Sequence, residues 1–256
     1  EPLYNTGLDG PLALGFDSCF FSFPRSHNSP TVSLYLEEYG KSFDVNMSGR
    51  ISLLDHSSTF YQQGCFTTME RFDAVFNNVK KINNEEAIKN TQEYLETCQH
   101  RIFGINDHDG LFDRIWMAMG MKTFSKEFRK RTPLYQKMIA SYAELIMHDL
   151  QGIIDAVGAR PGLICIKDDV AFKGRVMLSP ERWEQDFLPY YKEMCKLVHD
   201  AGMHIMMHSD GDVTELVPSF IKAGFEGLQG WEGGADPKII KEKFPGIIKI
   251  PISSRG

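Results

Sequence analysis

The sequence lacks the features that mark membrane, disulfide-stabilised or nucleic-acid-binding proteins. It has no apolar run near the roughly 20 residues needed to span a bilayer. Its five cysteines are scattered and never form a CxxC pair, which is typical of reduced thiols in a cytoplasmic protein. Its net charge of −6 argues against binding nucleic acid or an anionic membrane through bulk electrostatics. We therefore expect a cytoplasmic protein that acts on a small molecule.

Two further absences bear on processing and fold. No signal peptide opens the chain, which begins at Glu1 rather than Met, so we expect it to be trimmed. No GxGxxG motif follows a predicted strand, which weakens a dinucleotide-binding fold. What is present is 256 residues, 42% hydrophobic and 24% charged, enough for the core of one α/β domain or two small ones.

The character of the sequence changes near residue 66. Residues 1–66 are rich in Gly, Pro and Ser and are expected to be irregular, with short strands at 15–21 and 45–55. Ser-Gly at 48–49 predicts a hairpin turn inside the second. Residues 67–256 alternate between helices and short apolar strands. We expect a single domain over residues 1–256.

Apolar periodicity and capping residues predict the elements after residue 66. Ser179 and Pro180 predict the start of a helix, and Pro189 predicts a kink or break within it. Further helices are predicted at 85–101, from about 111, and at 134–157, 213–223 and 237–244. Strands are predicted at 101–105, 162–167, 204–208, 227–230 and 247–250.

Strand–helix alternation with short connections predicts a parallel sheet. The alternatives are a (β/α)8 TIM barrel and a doubly wound open sheet, and we favour the barrel. In a barrel the chemistry lies at the carboxyl ends of the strands. Asp168, Asp169, His208 and Asp210 fall there and are the candidate catalytic residues. The chain stops directly after a strand, with too few strands to close, so we expect the barrel to be incomplete.

The stretch KDDVAFKG, residues 167–174, places two carboxylates and a lysine after a strand. Neighbouring residues of a strand point to opposite faces, so only one of Asp168 and Asp169 should face the barrel mouth. That acid is suited to transferring protons or orienting substrate. Alternatively, Asp169 accepts hydrogen bonds from N–H groups of a turn. Spacing alone leaves both interpretations open.

The stretch HSDGD, residues 208–212, predicts a metal site or the ordinary end of a strand. His208 and Asp210 are one residue apart and therefore lie on the same side of an extended segment. Zinc accepts both ligand types but usually needs a third protein ligand, which the spacing does not mark. For His208 we favour the functional role. For Asp212 we favour capping of a helix that starts at Val213.

Polar residues also crowd the stretch GINDHDGLFD, residues 104–113. They form either a metal or substrate site or a solvated loop before the helix that begins near Leu111. The expected substrate-binding residues are those at this and neighbouring strand ends: Asp107, His108, Lys173 and Gln229.

Residues 101–256 resemble the uroporphyrinogen decarboxylase superfamily. The shared pattern is an acidic pair after a strand, a Ser-Pro-Glu helix start, a proline within that helix, a strand ending in HxxG, and a helix leading to an Ala-Gly-Phe turn. The resemblance implies a TIM barrel with its site at the carboxyl ends of the strands. It also implies either a cofactor-free porphyrinogen decarboxylase or a methyltransferase that works with a corrinoid protein.

The end of one strand separates these two branches. Methyltransferases of the family carry His-x-Cys-Gly, whose His and Cys hold zinc, whereas this chain has His208 and then Asp210 in place of the thiolate. A carboxylate makes zinc a harder, more Lewis-acidic centre, which suits a methyl ether or amine better than thiol methylation. The resemblance thus implies a methyltransferase that moves a methyl group between a small methoxy or methylamine compound and a corrinoid protein, with zinc or without metal.

Two alternatives remain open beside this expectation. One is uroporphyrinogen decarboxylase, although the arginine-rich N-terminal motif of that branch is not visible in the sequence. Another is a barrel that docks a corrinoid or partner protein without turnover. A homodimer is among the expected assemblies.

Overall fold

Strands and helices alternate along most of the chain. A computed structural model describes residues 18–22, 32–36, 41–45, 50–55, 58–77, 85–97, 102–230 and 234–249. In chain order the elements are β1 (Ser18–Ser22), β2 (Val32–Leu36), β3 (Lys41–Val45), β4 (Arg50–Asp55), β5 (Ser58–Gly64), α1 (Met69–Phe76), α2 (Glu85–Thr97), β6 (Ile102–Asp109), α3 (Leu111–Met119), α4 (Met121–Lys130), α5 (Pro133–Val157), β7 (Gly162–Lys167), β8 (Ala171–Phe172), β9 (Arg175–Val176), α6 (Pro180–Asp186), α7 (Leu188–Asp200), β10 (His204–His208), α8 (Val217–Ala223), β11 (Gly227–Gln229), α9 (Pro237–Lys243) and β12 (Ile248–Lys249).

A six-stranded parallel sheet has the order β1-β6-β7-β10-β11-β12. Its strands β7 and β10 are apolar almost throughout, and Ile164, Cys165, Ile205 and Met206 are buried. Such continuous burial is typical of parallel strands that are covered on both faces. The α/β class with a parallel sheet is therefore confirmed. Among the described strands no pairing joins β12 to β1, so closure into a (β/α)8 barrel stays a prediction.

The register of this sheet brings three strand ends together. His208 at the end of β10 lies beside Lys167 of β7 on one side and Gln229 of β11 on the other. Since all three strands are parallel, the segments that follow them leave the sheet at the same edge. The residues after Lys167 and after His208 are therefore neighbours in space.

The described residues before residue 66 form β1–β5, and β1 and β4 lie where short strands were expected. The irregular character expected for residues 1–66 stays a prediction. β2–β5 form a separate antiparallel sheet, in which β3 and β4 pair as the predicted hairpin, with Val45 opposite Ile51. β1 instead joins the parallel sheet beside β6. These strands are short and carry polar residues at many positions, so their period-two signal in the sequence is weak.

The chain divides into two compact units. One comprises residues 1–23, 84–110 and 150–256, and it contains the parallel sheet. The other comprises residues 24–83 and 111–149, and it contains the antiparallel sheet. The change in sequence character near residue 66 does not coincide with these units, and the single domain stays a prediction.

The helices follow the sequence signals closely, with one late start. The Ser179 hydroxyl accepts a hydrogen bond from the Arg182 amide at 3.3 Å, and the helix divides at Phe187, just before Pro189. α8 begins at Val217, not at residue 213 as expected, because the Asp212 carboxylate accepts bonds from the amide and hydroxyl of Thr214 in a turn. None of the helices in the described ranges is long and apolar enough to cross a membrane.

Candidate functional site

Three predicted site residues converge at the carboxyl ends of β7 and β10. Asp169, His208 and Asp210 each offer one ligand atom, and these atoms all lie within 4.8 Å of one another. The Nε2 atom of His208 is 3.9 Å from Oδ1 of Asp210. The His208 side chain is 15% exposed and that of Asp210 is 66% exposed, so the cluster is open to solvent on the Asp210 side. We call these three residues the Asp-His-Asp cluster.

Backbone pairing past the strand ends brings the two loops together. The Asp168 amide donates to the His208 carbonyl at 2.8 Å, which continues the β7–β10 ladder by one residue. The Asp210 amide donates to Oδ1 of Asp169, also at 2.8 Å. Asp169 is therefore the third possible ligand that spacing could not mark, since the contact depends on strand register and not on proximity in the chain.

Ser209 links the two loops beneath the cluster. It is fully buried. Its hydroxyl accepts a bond from the Val170 amide at 3.1 Å and donates to the Asp210 carbonyl at 3.1 Å. Gly211 follows with φ +92°, and a Cβ there would lie 2.6 Å from the Phe172 amide nitrogen. Only glycine fits such a close approach in a left-handed conformation. Sequence reasoning did not single out Ser209, because a serine beside Asp-Gly is read as an ordinary turn residue.

Gln229 reaches the cluster from the neighbouring strand. Its Oε1 atom lies 3.0 Å from Nδ1 of His208 and 3.9 Å from Sγ of Cys165. The expected role of Gln229 in substrate binding stays a prediction, but its side chain is placed on the ring of His208. Metal-binding histidines are commonly oriented by such a hydrogen bond to the ring nitrogen that does not face the metal.

Asp168 lies in surroundings unlike those of its neighbour Asp169. Its side chain is fully buried, and the Tyr191 hydroxyl donates to its Oδ2 at 2.6 Å. Tyr191 stacks on Trp183, with ring centroids 5.4 Å apart. A Cβ on Gly110 would collide with the Asp168 carboxyl group, so the backbone after β6 passes directly over this side chain. Asp168 is thus enclosed by protein, and Asp169 is the carboxylate that belongs to the cluster.

The expected loop that contains Lys173 is a small hairpin. β8 and β9 pair antiparallel, and Lys173 is exposed in the turn between them, outside the Asp-His-Asp cluster. Phe172 is 44% exposed, and the Arg175 guanidinium lies 5.0 Å from the centre of its ring. Two-residue strands are too short to give a periodic signal, so the sequence did not predict the hairpin.

Asp107 and His108 lie within β6 and not in a loop after it. β6 runs to Asp109, past the predicted end at residue 105, and the pairing with β7 shifts register between Ile105 and His108. An irregularity of this kind lets a strand continue through residues that break a regular ladder. The side chains of Asp107 and His108 lie outside the described residues, so their expected role in substrate binding stays a prediction.

Burial suppresses the ionisation of two cysteine thiols. Burial raises the pKa of Cys65 to about 11. Burial and, to a smaller extent, the nearby Glu226 carboxylate raise the pKa of Cys195 to about 12. Both groups therefore stay protonated at neutral pH, and a thiol is a poor metal ligand and nucleophile compared with a thiolate.

The donor set of the cluster fits a divalent cation. One imidazole nitrogen and two carboxylates match the nitrogen and oxygen ligands that zinc accepts. The set has no thiolate and is therefore also suited to harder cations than zinc. Catalytic metal sites keep a position open for substrate, and the exposure of Asp210 is compatible with that.

Comparison with known proteins gives a likeness of fold. No protein-family model matches the chain, and no curated protein sequence matches it. A solved structure of a methyltransferase from Methanosarcina mazei is similar over 96% of this chain and 67% of that chain, with a TM-score of 0.58 and 15% sequence identity. At this identity the similarity shows a common fold.

Proposed function

We propose that the protein is a methyltransferase that moves a methyl group between a small methoxylated or methylamine-type compound and a corrinoid protein. The observation that carries the proposal is the convergence of Asp169, His208 and Asp210 at the ends of adjacent parallel strands. The fold it shares with a methyltransferase and the sequence resemblance described above support this class of reaction.

The difficult part of this reaction is the leaving group. The methyl carbon passes to reduced cobalt, which supplies the electron pair of the new bond, while the C–O or C–N bond breaks and the oxygen or nitrogen takes a proton. A divalent cation held by Asp169, His208 and Asp210 would supply Lewis acidity at that oxygen or nitrogen. An electrostatic contribution of this kind is greatest where charge develops in the transition state.

The protein's own residues hold this arrangement rigid. The Asp169 carboxylate accepts from the Asp210 amide, and the buried hydroxyl of Ser209 donates to the Asp210 carbonyl, so the backbone of Asp210 is held in place. The Tyr191 hydroxyl holds Asp168 in the interior, so the backbone between β7 and Asp169 is anchored on both sides. A site that is fixed before substrate binds loses little free energy to reorganisation during the reaction.

The test is methyl transfer from methoxylated aromatic compounds and methylamines to cob(I)alamin, followed by the absorbance change of the corrinoid. We expect transfer that depends on added Zn²⁺ and falls at least about 100-fold in His208→Ala, since a catalytic electrostatic contribution is worth that much. The matched control is His204→Ala. His204 lies at the opposite end of the same strand and is 61% exposed, so this variant should keep full activity.

Two results would contradict the proposal. One is equal transfer by wild type and His208→Ala. The other is the absence of transfer from every donor together with formation of coproporphyrinogen from uroporphyrinogen, which would identify the decarboxylase.

The decarboxylase needs arginines near the cluster to bind substrate carboxylates. Arg160 precedes β7 and its Nη1 lies 3.5 Å from the Val157 carbonyl, at the amino end of the strand. Arg175 follows the carboxyl end of β7 but lies against Phe172. Arg160 is therefore placed away from the cluster, and formation of coproporphyrinogen is the outcome that separates the two reactions.

A further inference from the structure

We propose that Gln229 is a positioning residue that holds His208 as the tautomer with hydrogen on Nδ1 and the lone pair on Nε2. This inference rests on the proposed function in one respect, because the proposed function requires His208 to bind a metal and the inference makes Nε2 the binding atom. The tautomer itself is a property of the protein alone and can be measured without any substrate.

The hydrogen-bond chemistry of Gln229 assigns the direction of the contact. An amide oxygen only accepts, whereas either nitrogen of a neutral imidazole carries the hydrogen. Gln229 Oε1 lies 3.0 Å from Nδ1 of His208, and the Cys165 thiol, a weak donor, lies 3.9 Å from the same oxygen. The Cys165 thiol donates to this atom, which identifies it as the oxygen and not the amide nitrogen, independently of His208. His208 therefore carries its hydrogen on Nδ1.

The opposite tautomer has a weaker partner. An Nε2–H group would point to Asp210, whose Oδ1 is 3.9 Å away and whose side chain is 66% exposed. That distance is beyond a hydrogen bond, and water screens an exposed carboxylate. The contact with Gln229, at 3.0 Å and partly buried, has hydrogen-bond length. The Nδ1–H tautomer is therefore the more stable form, and its Nε2 lone pair faces the cluster.

The fold holds Gln229 in place for this contact. Gln229 is the last residue of β11 and lies opposite His208 in the parallel register. Its carbonyl accepts a bond from the Ser209 amide at 3.2 Å, so its backbone is fixed on the side that faces the cluster. A side chain on a paired strand keeps its direction, because successive side chains of a strand alternate between two faces.

The direct test is nitrogen NMR of the histidine rings in the metal-free chain at pH 8, where an ordinary histidine is neutral. The signals of His208 are assigned by their loss in His208→Ala. Wild type should show hydrogen on Nδ1. Gln229→Met keeps the length of the side chain but removes the acceptor, and it should shift His208 toward the Nε2–H form. The affinity for Zn²⁺ should fall roughly 10- to 100-fold, as is typical when a residue that orients a metal-binding histidine is lost.

Two further variants separate positioning from a general effect on structure. Gln229→Glu keeps an oxygen acceptor and should keep the Nδ1–H tautomer. Gln151→Met makes the same change in an exposed glutamine of α5, whose amide donates to Asp155 at 2.8 Å, and it should change neither tautomer nor affinity. Hydrogen on Nε2 in wild type, or an unchanged tautomer in folded Gln229→Met, would overturn the inference. If wild type has the Nδ1–H tautomer but transfers no methyl group, the proposed function fails and the inference about Gln229 stands.

Discussion

Asp168 and Asp169 are neighbours in the chain, yet one carboxylate is buried against a tyrosine hydroxyl and the other joins the Asp-His-Asp cluster. The alternation of side chains along a strand predicts that the two differ. It does not predict which one is buried, because that depends on α7, which brings Tyr191 to Asp168. A buried acid needs polar partners, so the hydroxyl is as important to this corner of the core as the acid itself.

We expect Tyr191→Phe to destabilise the protein by about 1–3 kcal/mol, the range for removing one partner of a buried hydrogen bond. The change removes only the hydroxyl and leaves the ring stacked on Trp183. Denaturant unfolding of the full chain measures the loss. Tyr190→Phe, the same change in a tyrosine that is partly exposed, should alter stability by less than about 0.5 kcal/mol. Equal effects of the two variants would show that Asp168 does not depend on this bond.

At the scale of elements, Glu226 joins α7, β10 and the segment before β11. Its Oε2 atom lies 2.9 Å from Nδ1 of His204 and 3.2 Å from Nε2 of His199. Partial burial raises the pKa of Glu226, but the opposing contributions are larger in sum, so the pKa is lowered overall. They come from the hydrogen bond and charge of His204, the charge of His199 and a hydrogen bond from the Ile205 backbone. This contact lies at the amino ends of the strands, away from the Asp-His-Asp cluster.

The lowered pKa of Glu226 predicts the sign of a pH effect on stability. A carboxyl group whose pKa is lower in the folded state stabilises the fold above its ordinary value of 4.5, and this contribution is lost as the pH falls through the folded-state value. Glu226→Gln should therefore flatten the fall in the free energy of unfolding below about pH 5. At neutral pH the variant should lose on the order of 0.2–1 kcal/mol, since the pair is partly exposed.

The pH dependence is measured by urea unfolding from pH 3 to pH 7. Glu242→Gln on α9 serves as the matched surface substitution, because Glu242 is exposed and lies on a different element. If the free energy of unfolding of Glu226→Gln fell with pH as steeply as that of wild type, Glu226 would not be the source of this pH dependence.

Individual elements show which parts of the fold could be predicted from sequence. α5 and the division at Phe187 carry long apolar periods and capping residues, so their bounds agree with prediction to within one or two residues. β6 was predicted too short because its polar end resembles a loop, and the β8–β9 hairpin is too short for any period. Local signals suffice where an element has its own periodicity. They fail where pairing with another strand decides whether a strand forms and where it ends.

At the scale of the whole molecule, the position of the candidate site could be inferred from the sequence more readily than the set of residues that meet there. The carboxyl ends of parallel strands are where α/β folds place their chemistry, and the sequence marks those ends by abrupt changes from apolar to polar residues. Asp169 lies beside His208 and Asp210 only through the register of β7 with β10, which no local pattern contains. The fold similarity at 15% identity agrees with this, since a fold persists while most of its residues change.

A metal held by the Asp-His-Asp cluster should stabilise the whole protein, because the site exists only in the folded state. At a free Zn²⁺ concentration 100 times the dissociation constant, mass action raises the free energy of unfolding by about 2.7 kcal/mol. For a chain of this size the corresponding rise in Tm is roughly 5–10 °C. Thermal unfolding with Zn²⁺, and again after addition of a chelator, measures the rise and its reversal.

Two histidine variants identify the site responsible for this rise in Tm. His208→Ala should abolish it, whereas His204→Ala should retain it in full, since His204 contacts Glu226 at the other end of β10. The reverse result would place the metal at the pair formed by His204 and Glu226. A metal there would contradict the role that the proposed function gives to the Asp-His-Asp cluster, and this comparison needs no substrate.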